Sequence, residues 1–154
     1  MTTTGVRVSL IASAVALLLA MSATMTGQTP ASTKAAAGEP AARSDTYREV
    51  YQGWKWWHVY CYRCHGVDAL GTTTAPNLLD PTEKITRAEF LRVVRAGVPK
   101  TAMQAWNKLL DDKQVGQVYL YVRARADKIL PPGRPDEVGP NGGQWIPPEG
   151  WRAR

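Results

Sequence analysis

Cys61 and Cys64 are the only cysteines in this 154-residue chain, and His65 follows the second directly. Two thiols three positions apart fall on one turn of helix, where each can add to a haem vinyl group. The next side chain, an imidazole, then lies under the iron as its proximal ligand. The other chemistries of a C-x-x-C pair find less support. A thioredoxin-like redox dithiol belongs in a βαβ context, and no such pattern is found. A closed zinc site needs four nitrogen or sulfur ligands, and the chain offers only two Cys and two His. The reading is one covalently attached haem c on Cys61, Cys64 and His65. Its apolar surface supplies what the side chains of so short a domain do not.

The rest of the chain divides around that motif. Residues 1–26 read as a secretory signal: Arg7 is the only charge, Val8 to Met21 is a mostly apolar run, and Ala20, Ser22 and Ala23 offer cleavage sites. The run of 14 residues is shorter than the ~20 needed to span a bilayer, so cleavage is favoured over a retained anchor, and a membrane enters only if the leader stays. Residues 27–43, rich in Ala, Thr, Ser, Pro and Gly, read as a flexible linker. Residues 44–130 form the compact domain, and 131–154 an extended Pro/Gly/Trp tail. Export and the motif together point to a bacterial periplasm. Without Arg7 the chain keeps 18 basic against 13 acidic side chains, which favours an acidic partner surface. The basic residues are interspersed with carboxylates, so nucleic acid is not read as a partner.

Three main helices and no strand are expected. The first runs from about Asp45 to Tyr60, with Tyr47, Val50, Tyr51, Trp54, Trp57 and His58 at helical spacing and a capping box at Thr46 and Glu49. The second starts at Thr86, capped with Glu89, stapled by Ile85 and Phe90, and stopped by Gly97. The third starts at Asp111 with Gln114 and places Val115, Val118, Tyr121 and Val122 on one face. Pro131-Pro132-Gly133 is read as what ends it.

Order and spacing together resemble the class I cytochrome c family, well past the C-x-x-C-H motif. Gly53 and Trp57, eight and four residues before Cys61, occupy positions where that family's N-terminal helix crosses the C-terminal one, with Val118 and Tyr121 as expected partners. Ala75-Pro76-Asn77-Leu78 resembles its G-P-N-L loop, in which the Pro carbonyl accepts the N–H of the axial His; Ala75 departs from the usual Gly. Met103 is the only methionine beyond the leader, and Gly97 to Trp106 resembles the distal loop that carries the sixth ligand, with Gln104 in place of the usual Pro. His58 sits on the attachment helix, too close in sequence to reach the opposite haem face. The resemblance therefore implies His65 and Met103 as axial ligands, with Pro76, Leu78 and Trp106 beside the haem.

An all-α cytochrome c fold is implied by the same resemblance, with the terminal helices crossing around a covalent haem. Also implied is an electron carrier rather than an enzyme, taking electrons from a periplasmic dehydrogenase and passing them to an oxidase or another cytochrome. Two other readings stay open: a fixed haem subunit of a quinoprotein dehydrogenase complex, and a haem peroxidase with a displaceable sixth ligand. Lys84, Arg87, Arg92, Arg95 and Lys100 gather around the second helix, diluted by Glu83 and Glu89, as a solvated face or a docking patch. The tail either wraps the domain or lies on a partner. One of Trp54 and Trp56 is expected to face outward.

Overall fold

The computed structural model describes residues 34–151. The expected leader at 1–26, the start of the linker and the end of the tail lie outside the described residues. Five helices follow in order: α1 (Lys34–Tyr60), α2 (Tyr62–His65), α3 (Leu79–Lys84), α4 (Arg87–Ala96) and α5 (Asp112–Ala126), with a 3-10 turn at Pro140–Gly142. No strand occurs among the described residues. The three expected helices are α1, α4 and α5.

Helix α1 begins at Lys34 rather than near Asp45, so part of the stretch read as linker is helical. Ala35, Ala36, Ala37, Ala41 and Ala42 supply the residue type with the best intrinsic helix propensity. Thr46 consequently stands in mid-helix. Its hydroxyl donates to the Ala42 carbonyl at 2.9 Å, a back-bond to the preceding turn, and Glu49 accepts from Gln117 Nε2 at 3.1 Å. The expected Thr46–Glu49 capping box is not formed. The other start signals operate. Thr86 Oγ1 accepts from the Glu89 N–H at 3.2 Å, and Asp111 and Gln114 bond each other's backbone N–H at 2.7 and 2.8 Å. Gly97 closes α4 with φ +70°.

Helix α5 is the centre of the core. Val115, Val118, Tyr119, Tyr121, Val122 and Ala124 are all buried, because α1, α3 and α4 each pack against it. The α1–α5 crossing is fixed by Gly53. A Cβ built there would stand 1.9 Å from the Gln117 carbonyl oxygen and 3.1 Å from Tyr121 Cβ. One turn on, Trp57 is buried and its ring centroid lies 5.8 Å from that of Tyr121. Val118, also expected at the crossing, is buried in the same core, but the atoms facing Gly53 belong to Gln117 and Tyr121.

The tail turns back over the domain. Trp145 is 4 % exposed, and its Nε1–H donates to the Ile129 carbonyl at 2.9 Å. Trp151 donates to Asp127 Oδ2 at 2.9 Å, with the two indole rings edge to face at 6.2 Å. Arg43 of α1 donates to the Pro147 carbonyl at 3.0 Å, and Gly133 N–H to Asp68 Oδ1 at 3.1 Å. Trp54 and Trp56 are both half-buried, so neither stands fully outward as expected. The Arg134 guanidinium sits 5.5 Å above the Trp54 ring, while Trp56 Nε1–H donates to Gln117 Oε1 at 2.9 Å. Truncating a buried aromatic of this kind costs about 3–5 kcal/mol. Trp145→Ala should therefore lower the denaturant midpoint with little change in slope; an unchanged midpoint would show that the tail adds nothing to the fold.

Candidate functional site

The helical path of α1 is interrupted at Cys61 and resumes as α2, so the motif occupies one continuous turn. Cys61 N–H donates to the Trp57 carbonyl at 2.9 Å, and His65 N–H to the Cys61 carbonyl at 3.0 Å. The motif is also tied from below. Trp57 Nε1–H is shared between the Gly66 and Val67 carbonyls, both at 3.0 Å, and Tyr121 O–H donates to the Val67 carbonyl at 3.2 Å. The crossing that holds α1 to α5 therefore also holds the floor under His65.

His65 is nearly buried, at 9 % exposure. Its Nδ1 lies 3.0 Å from the Pro76 carbonyl oxygen. Written as Nδ1–H donating, this bond leaves Nε2 as the nitrogen available to a metal, the arrangement that fixes ring orientation and raises ligand basicity. The loop that brings Pro76 there closes on itself. Gly71 N–H donates to the His65 carbonyl at 2.8 Å, and Leu78 N–H to the Ala69 carbonyl at 2.9 Å. Gly71 has φ +83°, and a Cβ there would meet Asn77 N at 2.4 Å, so only glycine fits. The Ala75 that departs from the family pattern is accommodated, its carbonyl accepting from Thr72 N–H at 2.9 Å.

Met103 comes from the loop between α4 and α5. Val98 N–H donates to the Met103 carbonyl at 2.9 Å, Met103 N–H to Thr101 Oγ1 at 3.1 Å, and Trp106 N–H to the Val94 carbonyl at 3.1 Å. Gly97 permits this closure, since a Cβ on it would stand 2.6 Å from that same Met103 oxygen.

These segments enclose one cavity of about 350 Å³. Cys61, Cys64, His65, Pro76, Leu78, Met103 and Trp106, the residues expected to bind or flank the haem, line it together. Ile85, Phe90, Val93 and Val94 make the wall between α3 and α4. Tyr60 and Thr82 also line it and went unread in the sequence. Tyr60 stands at the end of a helical stripe, packed edge-on to Trp106 at 5.6 Å. Thr82 belongs to α3, a six-residue helix too short to announce itself by periodicity. His58 does not line the cavity. It packs on Trp54 with ring centroids 4.2 Å apart and its Nδ1 2.8 Å from the Trp54 carbonyl oxygen.

The donor set fits a covalent haem and not the other C-x-x-C chemistries. Burial, and then the neighbouring Cys64, push the Cys61 thiol up to about 12. A redox-active dithiol instead needs a thiol pKa lowered by its surroundings. Among the described residues no group of three or more His, Cys, Asp or Glu is placed to hold a metal ion, which removes the zinc reading. An apolar chamber with two thiols, an imidazole and a thioether on its walls is what a haem requires. Within the basic patch two charges are locally paired, Arg92 with Glu89 at 2.6 Å and Arg95 with Asp112 at 2.7 Å.

A helical chain whose first and last long helices cross beside such a chamber has the cytochrome c fold, and comparison with known proteins agrees. The family profile described as cytochrome c oxidase, cbb3-type, subunit III matches residues 48–122. Cytochrome c-555 of Methylococcus capsulatus is 29% identical over 101 residues, covering 64% of this chain and 80% of that protein. The crystal structure of the c-type cytochrome XoxG from Methylobacterium extorquens AM1 superposes with a TM-score of 0.54 at 30% identity, over 56% of each chain. The match thus spans just over half the length of that solved relative. The chain has the all-α fold of the c-type cytochromes and is similar to them over its compact domain, and relatives of this kind carry covalently attached haem c.

Proposed function

We propose that this chain is a c-type cytochrome serving as a periplasmic electron carrier, in which His65 and Met103 would hold the iron of a haem bound through Cys61 and Cys64. It would accept electrons from a dehydrogenase and deliver them to a terminal oxidase or a second cytochrome. The observation that carries the reading is that His65, oriented by Pro76, and Met103, held by the loop that Gly97 closes, line the same cavity as both thiols.

The haem supplies a one-electron Fe(III)/Fe(II) couple. Held by both His65 and Met103, the iron would have no position left open to peroxide or oxygen, which favours the carrier over the peroxidase reading. The Pro76 carbonyl keeps the imidazole oriented through the change of charge. The thioether of Met103 is a soft ligand that favours Fe(II) and raises the potential relative to two imidazoles, and the apolar walls of Leu78, Phe90 and Val94 push the same way. A free carrier is favoured over a fixed subunit because Trp145 and Trp151, the tail's obvious anchors, are bonded to this chain's own Ile129 and Asp127. Among the described residues no helix is long and apolar enough to cross a membrane. The periplasmic assignment rests on the apolar leader at 1–26 and on the covalent haem. Charge steering toward an acidic partner would fall to Lys84, Arg87 and Lys100, since Arg92 and Arg95 are locally paired.

Met103→Ala tests the ligand assignment. The ferric protein should lose the long-wavelength charge-transfer band given by thioether ligation, and its reduction potential should fall. Persistence of both in the variant would exclude Met103.

A further inference from the structure

Five rings run in sequence along α1 and into α2: Tyr47, Tyr51, Trp54, His58 and Tyr62. Successive centroids are 5.8, 5.8, 4.2 and 5.7 Å apart, with interplanar angles of 14°, 13°, 39° and 18°. Tyr62 lies inside the haem motif between Cys61 and Cys64, and the far end reaches the segment covered by the tail. Packing alone does not require oxidisable rings at this spacing, nor the charges set around them. Arg134 stands 5.5 Å over the Trp54 ring and Lys55 Nζ 4.9 Å over that of Tyr51. Tyr51 O–H donates to Asp136 Oδ2 at 3.2 Å, and Arg134 in turn holds that carboxylate at 2.7 Å.

We propose that this ladder draws oxidising equivalents away from the haem motif and that Tyr51 is where they come to rest. The oxidant is of the strong one-electron class, such as a carbonate radical. It takes one electron from a ladder ring near the motif and is itself reduced by one electron, the carbonate radical anion becoming carbonate. The electron vacancy moves along the rings through Trp54, with His58 as a bridge, because imidazole holds a vacancy less readily than indole or phenol. Cations over Trp54 and Tyr51 disfavour a resting positive charge there, since a ring face that attracts a cation becomes a poor host once oxidised. Only a ring that sheds a proton can then hold the vacancy as a neutral radical. At Tyr51 the phenolic O–H bond breaks, its proton forms a new O–H bond on the Asp136 carboxylate, and a neutral phenoxyl radical remains. One electron leaves the protein for each oxidant reduced; a one-electron donor of the thiol or ascorbate class later returns it, and the proton on Asp136 goes back to the Tyr51 oxygen to restore the phenol.

The test uses the full-length holoprotein with photogenerated tris(bipyridine)ruthenium(III) as the one-electron oxidant. The readouts are electron paramagnetic resonance of frozen samples and mass-spectrometric mapping of oxidised residues. The native protein is expected to show a tyrosyl signal that persists in Tyr47→Phe and disappears in Tyr51→Phe. Trp54→Leu is expected to move oxidation products from Tyr51 to Tyr62 and the motif peptide. Circular dichroism establishes that each variant is folded, and a merely structural ladder would leave the radical's location unchanged. A tyrosyl signal retained in Tyr51→Phe, or oxidation at the motif that is the same with and without Trp54, overturns the proposal.

Discussion

Replacing both Cys61 and Cys64 with Ala is expected to yield a chain with no covalent haem and no stable fold. The first half follows from composition, because no other thiol exists in the sequence to form a thioether. The second follows from the cavity. Its walls from α2 to the Met103 loop enclose about 350 Å³. Without haem the apolar walls of that space face water or void, and the lost burial is large against a total stability of roughly 5–15 kcal/mol for a domain. Helices α3 and α4 contact α5 on one side and the cavity on the other, so they lose much of their apolar partner at once. The long α1 and α5 still meet at Gly53 and Trp57, and they should retain partial helicity without fixed tertiary contacts. The double variant, matured in a host that attaches haem, should show the mass of the bare polypeptide, retained far-UV dichroism and a lost near-UV signal. A variant that keeps a haem bound through denaturation would refute the thioether assignment, and a cooperative transition at the native temperature would refute the role given to the cavity.

Features that depend on neighbours in sequence were legible, and those that depend on partners across space were not. Thr86 with Glu89 and Asp111 with Gln114 cap their helices because the bonding groups are three residues apart and need no tertiary help. The motif and loop residues meet as the family resemblance, rather than any local rule, implied: His65 and Pro76 are 3.0 Å apart, and Met103 opens on the same cavity. Thr46 and Glu49 carry the same capping pattern, but the alanines upstream extend α1 past them, and each side chain finds another partner. Helix α3 escaped notice because six residues hold less than two turns of pattern. The Asn77 side chain that receives the Leu79 N–H at 2.7 Å is the one local sign of its start. That Trp54 and Trp56 are both half-buried, neither fully outward, has a third reason. What covers Trp54 is Arg134, eighty residues along in an irregular tail whose path no periodicity encodes.

Gly53→Ala should have the opposite sign from the same change at Gly116, although both glycines lie inside helices. Intrinsic propensity favours alanine over glycine by about 1 kcal/mol at each. At Gly53 the new Cβ would lie 1.9 Å from the Gln117 carbonyl oxygen, where ordinary contact begins at 3.4 Å. The obstacle is backbone, so α1 and α5 must part by about 1.5 Å, the difference between those two distances. At Gly116 the new Cβ meets Arg87 Nη2 at 2.0 Å, but that is the far end of an exposed, flexible side chain, which swings aside at little cost. Overpacking of a rigid contact costs about 1–3 kcal/mol or more, so Gly53→Ala should destabilise by about 2 kcal/mol after the propensity gain, and Gly116→Ala should be neutral or slightly stabilising. The damage at Gly53 should also reach the haem. Parting the helices pulls Trp57 and Tyr121 from the Val67 carbonyl they share and loosens the turn that carries His65. Denaturant midpoints of the two holoprotein variants, with the ferric spectrum recorded for each, check both parts. Equal shifts at the two positions would mean that the crossing is not the rigid contact on which the site is built.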